Sequence, residues 1–539
     1  MMKQNADVVF FNGAVWTADP KHPRAQAVAV RDGRIMMVGS DEQIKDLAGP
    51  GTRKIILNGE TVCPGFIDCH VHFVEGGFSL SGVDLRTVKD RKGFQEKIKN
   101  KAEELEPGTW ILNGNWNHQC FLPVELPRKE WIDGVSPNNP VFVTRHDLHM
   151  ALANGPALQA AGINRETPSP EGGEIEKDPH TGEPTGILKD AAMELVFKLV
   201  PARSVKERKK AVKRASKYAL SQGVTSVHDM GMPEDFRAYQ ELERIGDLSI
   251  RVTMYYPITE IDAFSRLRLA GPFGEAFLKI GGLKGFVDGS LGSGTALFFQ
   301  PYADNPDSRG LLHKHMCPQK EMEEKIAEAD HLGVQLALHA IGDRANSIVC
   351  DMFEKVYRRN GRKNRRWRVE HAQHLQPREM ERIAGLELVA SVQPFHLSDD
   401  GNWAAAKLGP ERCRQAYPFR SLLDQGVVLV CGSDWPVVPL EPLKGIFTAV
   451  TRKTSDGKNR GGWIPEQKIS LEDAFLGYTR RAAYAEFSEA KKGVLAEGLP
   501  ADIVVLSRDV FSQAPEDLDK TEVVLTVFNG EVVYSKEAF

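Results

Sequence analysis

No stretch of this 539-residue chain approaches the ~18 consecutive apolar residues that a membrane-spanning helix needs, which excludes a helical membrane span. Sustained runs of one charge sign are also missing. Lys and Arg number 69 against 73 Asp and Glu, a net charge of −4 that leaves no basic footprint for nucleic acid. Lys209-Lys210, Lys213-Arg214 and the short basic stretch from Arg358 to Arg368 read as solvated faces. Cysteine is scarce. The seven present are an odd number with no paired short spacing, which fits reduced thiols better than a disulfide framework. The opening residues, Met1 to Asp7, are polar and lack the apolar core of a signal peptide. Internal repeats and low-complexity tracts are absent. What is there, 41% apolar and 26% charged residues, is a globular composition and argues against disorder. A soluble, cytoplasmic protein is expected.

The two ends of the chain share one character. Asp7–Asn12, Ala27–Val30 and Arg34–Val38 read as strands with Asp32-Gly33 as a hairpin turn. Ala501–Leu506, Val523–Phe528 and Glu531–Tyr534, with Asn529-Gly530 between the last two, repeat that pattern. Each segment is too short to bury a core alone, so residues 1–60 and 486–539 are expected to form one small β-sandwich domain together. Residues 61–485 carry a different rhythm. Phe66–Cys69, Val224–His228, Arg251–Tyr255, Leu283–Val287, Val334–Leu338, Trp367–Glu370, Leu388–Val392 and Val427–Val430 are apolar, strand-like stretches. Helical stretches such as Lys206–Ser221, Lys320–Leu332 and Arg344–Arg358 separate several of them. Alternation of this kind implies a parallel sheet, and eight strands imply an α/β fold of the (β/α)₈ TIM type. Residues 75–205 break the rhythm, with three tryptophans, many prolines and a hairpin signal from Gly172-Gly173 to Glu183-Pro184. As an insertion after the first strand they would sit over the barrel mouth.

Polar residues gather where the strands end. Phe66–Cys69 runs into His70 and His72, which project to one side because strand side chains repeat every second residue. Fifteen histidines make such a pair common by chance, so its weight comes from the other strands. Val334–Leu338 ends at His339, Trp367–Glu370 at His371, and Val427–Cys431 runs into Gly432-Ser433-Asp434, while Lys284 lies inside an apolar strand. Imidazole nitrogen and carboxylate oxygen together suit a borderline divalent ion such as zinc, more than magnesium.

The set His-x-His, Lys, His, His, Asp on the first, fourth, fifth, sixth and eighth strands resembles the amidohydrolase superfamily. Pro64-Gly65-Phe66-Ile67-Asp68-Cys69-His70-Val71-His72, Asp288-Gly289-Ser290-Leu291-Gly292-Ser293, His339-Ala340-Ile341-Gly342-Asp343-Arg344, Ser391-Val392-Gln393-Pro394 and Gly432-Ser433-Asp434 look like its amidohydrolase 3 branch. That branch includes proteins like N-substituted formamide deformylase. The resemblance implies that His70 and His72 hold a buried metal and that His339 and His371 hold a second. It implies that Lys284 is a lysine able to be carboxylated between them, and that Asp434 is both ligand and proton carrier. One or two divalent ions per chain, zinc first, are expected. The implied activity is hydrolysis of a non-peptide C–N bond in an N-acyl or N-formyl amine. Esterase or deaminase activity at the same site, and a non-catalytic small-molecule sensor, are the competing readings. Trp116, His149, His228, Asp288 and His396 are the candidates for substrate contact, beside Asn154 and Ser290. Two positions depart from the family's pattern, Gly294 where relatives often place arginine, and Cys69, expected to pack away from the histidines. The expected partners are a small-molecule substrate and a second copy in a homodimer, with neither nucleic acid nor membrane.

Overall fold

A computed structural model describes residues 5–275 and 277–536, so Met1 to Gln4 of the polar opening segment lie outside the described residues. Eight strands run parallel in chain order: β1 Phe66–Val71, β2 Val224–Asp229, β3 Arg251–Pro257, β4 Leu278–Phe286, β5 Gln335–Ala340, β6 Arg368–His371, β7 Val389–Val392 and β8 Val428–Cys431. All seven neighbouring ladders are parallel. The fold is a TIM-type barrel accompanied by extra sheets. Parallel strands need crossover helices, and the apolar periodicity supplies them. Val205–Ser221 turns Ala211, Val212, Ala215 and Ala219 to the barrel, and its start is fixed by a capping box between Ser204 and Glu207.

The seam between β8 and β1 positions the site. No ladder closes it. Instead the Asp434 N–H donates to the His70 carbonyl at 2.6 Å and the His72 N–H to the Trp435 carbonyl at 2.8 Å. Asp68, buried at the same seam, accepts from the Ser433 N–H at 2.9 Å. Burial pushes its carboxyl up to about 7. The chains approach so closely that a Cβ on Gly432 would lie 2.6 Å from the His70 nitrogen. Gly432→Ala is therefore expected to prise the seam open at about 1–3 kcal/mol, read as a lower urea midpoint. A variant as stable as wild type would show that the seam yields freely.

The two ends of the chain build two further sheets. Arg34–Gly39, Ala27–Arg31, Val8–Phe11 and Arg53–Ile56 form one; Glu531–Ser535, Val523–Phe528, Ile503–Leu506, Thr61–Pro64, Ala14–Trp16 and Arg24–Ala25 form the other. Phe10, Val28, Ile35, Val62, Ile503, Val505 and Leu525 share the core between them. The insertion carries a six-stranded sheet of its own, Gly173–Lys177, Pro184–Asp190, Met150–Ala153, Val141–Arg145, Ile111–Trp116 and Val83–Asp84. The first two are the expected hairpin, antiparallel. All seven cysteines are free thiols, and Cys69 packs with Ile67 and Val430, away from the neighbouring histidines. Among the described residues no helix is long and apolar enough to cross a membrane.

Candidate metal centre

Three imidazoles at the barrel mouth have their geometry set by a partner behind them. His70 Nδ1 lies 2.5 Å from Glu370 Oε2, which leaves Nε2 facing Asp434 Oδ1 at 3.4 Å. His72 Nδ1 bonds the Met230 carbonyl at 3.1 Å, and its Nε2 lies 3.3 Å from the same Asp434 oxygen. His339 Nε2 bonds the Gly289 carbonyl at 3.0 Å, so its other nitrogen is the one left for a ligand. Tying one ring nitrogen fixes the tautomer and leaves the other as a lone-pair donor. Burial, reinforced by the Lys284 ammonium, holds His70 well below the ordinary histidine range, which keeps it neutral.

Asp434 and His371 both sit in left-handed backbone, at φ 59° and 72°. In β6 the inward positions belong to Arg368 and Glu370, so a continuing strand would send His371 outward. The change of φ returns it to the mouth. Non-glycine residues held this way cost of order 1–3 kcal/mol and cluster at functional sites. The Asp434 carboxyl would be raised by burial, but His70 and His72 outweigh that and hold it well below the usual carboxylate range. Lys284 Nζ lies 3.2 Å from His70 Nε2, and burial draws its pKa down to about 8. The rings of His339 and His371 are 4.4 Å apart.

The donor set fits a divalent metal. His70, His72 and Asp434 offer atoms that all lie within 4.8 Å of one another. Asp434 Oδ1 and His371 Nδ1 are buried without a hydrogen-bond partner. Such atoms are costly unless something pairs them.

Below the mouth a column of buried charge supports His70. Arg368 donates from Nε to Glu370 Oε1 at 2.7 Å and from Nη2 to the Cys69 carbonyl at 2.6 Å. Its Nη1 meets His228 Nδ1 at 2.8 Å, and His228 Nε2 lies 3.6 Å from Glu486 Oε2. Lys492 Nζ closes the column 2.5 Å from Glu486 Oε1.

Above the centre lies a cavity of about 380 Å³ reached by His70, His72, Lys284, His339, His371 and Asp434. The insertion supplies one wall. His149 and Asp190 pair at 2.6 Å there, and Leu148 and Asp190 beside them adopt φ 61° and 45°. Burial opposes charge on His149, yet Asp190 outweighs it and the ring titrates above its ordinary value. Arg145 Nη1 binds Asp147 Oδ2 at 2.6 Å on the same wall. Met193, Phe197, Met232, Phe286 and Trp403 provide the apolar surface.

Of the residues expected to touch substrate, His149 and His396 line this cavity. Three others are placed elsewhere. Trp116 is buried in the insertion's own core with Phe94, Trp131 and Val143, and its Nε1 donates to the Val143 carbonyl at 2.8 Å. His228 sits one layer down because β2 continues to Asp229, and burial draws its pKa to about 3. Asp288 accepts the N–H groups of Leu297, Ile341 and Gly342 at 2.8–3.0 Å, pinning the loops after β4 and β5. Asn154 caps the helix Gly155–Ala160. Ser290 lines the cavity and bonds Asp147. Gly294 stands at φ 72°, with only Lys407 Nζ within 4 Å of a Cβ added there. Sequence reasoning passed over Arg145, Asp190, Arg368 and Glu370. The signal for the last two was present, since charged residues two apart on an apolar strand share its inward face.

Known proteins resemble this chain over nearly its whole length. The Arabidopsis thaliana Protein LONG AFTER FAR-RED 3 is 43% identical, covering 98% of this chain and 92% of its own. N-substituted formamide deformylase of Arthrobacter pascens is 28% identical over 99% of both. The crystal structure of an uncharacterized metal-dependent hydrolase from Pyrococcus horikoshii OT3 superposes at TM-score 0.75 and 29% identity, covering 94% of this chain and 98% of that one. The family model described as "Amidohydrolase family" matches residues 55–534, and the chain belongs to that family.

Proposed function

We propose that this chain is a zinc-dependent hydrolase that cleaves a non-peptide C–N bond in a small N-acyl or N-formyl amine. The observation that carries the reading is the meeting of His70, His72 and Asp434, whose buried Oδ1 has no hydrogen-bond partner, at the head of a 380 Å³ cavity. The deformylase relative supports the substrate class by its name. His70, His72 and Asp434 would hold one ion, with His371 and His339 beside them for a second. A bound divalent ion supplies Lewis acidity, which polarises a carbonyl and acidifies water toward a pKa of about 7.

The chain's own groups do the rest. Asp434 accepts the proton from water on its carboxylate and returns it to the departing amine nitrogen, as general base and then general acid. His149, braced by Asp190, presents its ring to the same space and can donate to the carbonyl oxygen as negative charge develops there. Lys284, buried and easily neutralised, suits attack of its amine on carbon dioxide, with loss of one proton, to give an anionic carbamate between the ligand sets. The apolar wall from Met193 to Trp403 excludes water and grips the substituent.

Chelation is expected to remove metal and turnover together, and added zinc to restore both. Elemental analysis alongside assay of a panel of N-acyl and N-formyl amines checks this. Full turnover in demonstrably metal-free protein would sink the reading. The sensor reading keeps one support, since the name of the Arabidopsis relative states no reaction. It would prevail if metal-loaded protein bound these amides and hydrolysed none.

A further inference from the structure

We propose that His396 is a further metal ligand, and that the Asp434 carboxylate is shared by two ions, one held with His70 and His72 and one where His396 joins His371 and His339. The inference rests on the metal-dependent reading above. It starts from the two oxygens of Asp434, which serve different neighbours. Oδ1 lies 3.4 Å from His70 Nε2 and 3.3 Å from His72 Nε2. Oδ2 lies 4.0 Å from His396 Nε2. Donors that each stand about 2.0–2.2 Å from a tetrahedral zinc are roughly 3.3–3.6 Å apart. In the first trio both contacts to Asp434 already have that spacing, and in the second the His396 contact needs a side-chain adjustment to reach it.

The donors of the second trio, His371, His396 and Asp434, all lie within 4.8 Å of one another. His396 Nε2 is buried and has no hydrogen-bond partner, like His371 Nδ1. The two rings of the second trio are nearly parallel, 23° apart with centroids at 6.3 Å. The backbone is firm there, because His396 opens the short helix His396–Asp400 directly after β7 through Gln393-Pro394-Phe395. A residue that only touched substrate would not need a buried ring nitrogen directed at the carboxylate that already serves His70 and His72.

The test uses the full chain stripped of metal and reloaded with cobalt, whose visible spectrum reports ligand number and type. Wild type is expected to bind two ions per chain, and His396→Ala one, with a weaker and shifted spectrum. Replacing an outer partner of a ligand costs about 10–100-fold in affinity, so loss of a ligand should weaken the second ion by more than that. His396→Asp keeps a donor atom and should recover the second ion, which separates ligation from misfolding. A His396→Ala protein with unchanged cobalt count, affinity and spectrum would overturn the proposal while leaving the hydrolase reading intact. A wild type that takes up no cobalt or zinc would overturn both.

Discussion

Asp434→Asn lowers kcat by about 10²–10⁴-fold while substrate affinity changes little. The amide keeps the shape of the carboxylate but cannot carry a proton, and it weakens ligation where Oδ1 faces His70 and His72. General acid-base help acts in the transition state, so the loss falls on turnover rather than on binding. Steady-state kinetics beside calorimetric affinity for a slowly cleaved amide separates the two. A variant that loses affinity alone, with no turnover to lose in wild type, would speak for a sensor.

The second large effect lies beneath the site. Arg368→Met leaves the Glu370 carboxylate buried without its cation, a change that costs about 3–5 kcal/mol where a buried pair is broken from one side. Glu370 also orients His70, so metal affinity should fall by about 10–100-fold in the same variant. Replacing both partners, Arg368→Met with Glu370→Leu, removes the stranded charge and is expected to recover most of the stability but none of the affinity. Urea unfolding followed by tryptophan fluorescence, with metal titration alongside, reads both quantities. A single variant as stable as wild type would mean that water reaches Glu370.

All eight barrel strands were legible because a parallel sheet buries both faces, so each strand appears as an apolar run between helices of a different period. The residues ending those runs, His70, His72, His339, His371 and Asp434, could be read for the same reason. The insertion could not. Its six strands are short, and three of them run parallel to one another while the remaining ladders are antiparallel, so no single periodicity marks the sheet. Trp116 shows the cost: an aromatic beside asparagines suggests a cavity wall, yet it lies in a strand whose neighbours make a local core. His228 looked like a strand-ending residue, and one further residue of β2 lowered it into the column beneath the mouth. Asp190 carried no signal at all, because its role depends on a tertiary pairing with His149.

The strand Thr61–Pro64, which leads straight into β1 and its histidines, pairs on one side with Ala14–Trp16 and on the other with Ile503–Leu506. Asp502 ties the same corner down, accepting the Gly65 N–H at 2.9 Å and the Arg251 guanidinium at 2.6 Å. Glu486 and Lys492, at the foot of the column under His70, come from the same late part of the chain. During synthesis the histidines emerge from the ribosome among the first residues, while the strand that braces them emerges among the last. Domains that fold as they emerge gain their structure from the amino terminus onward. Here the frame around His70 and His72 is complete only once translation has passed Ile503–Leu506. A premature stop between Asp434 and Ile503 would yield a product with every ligand present and no Ile503–Leu506 strand to brace the first two.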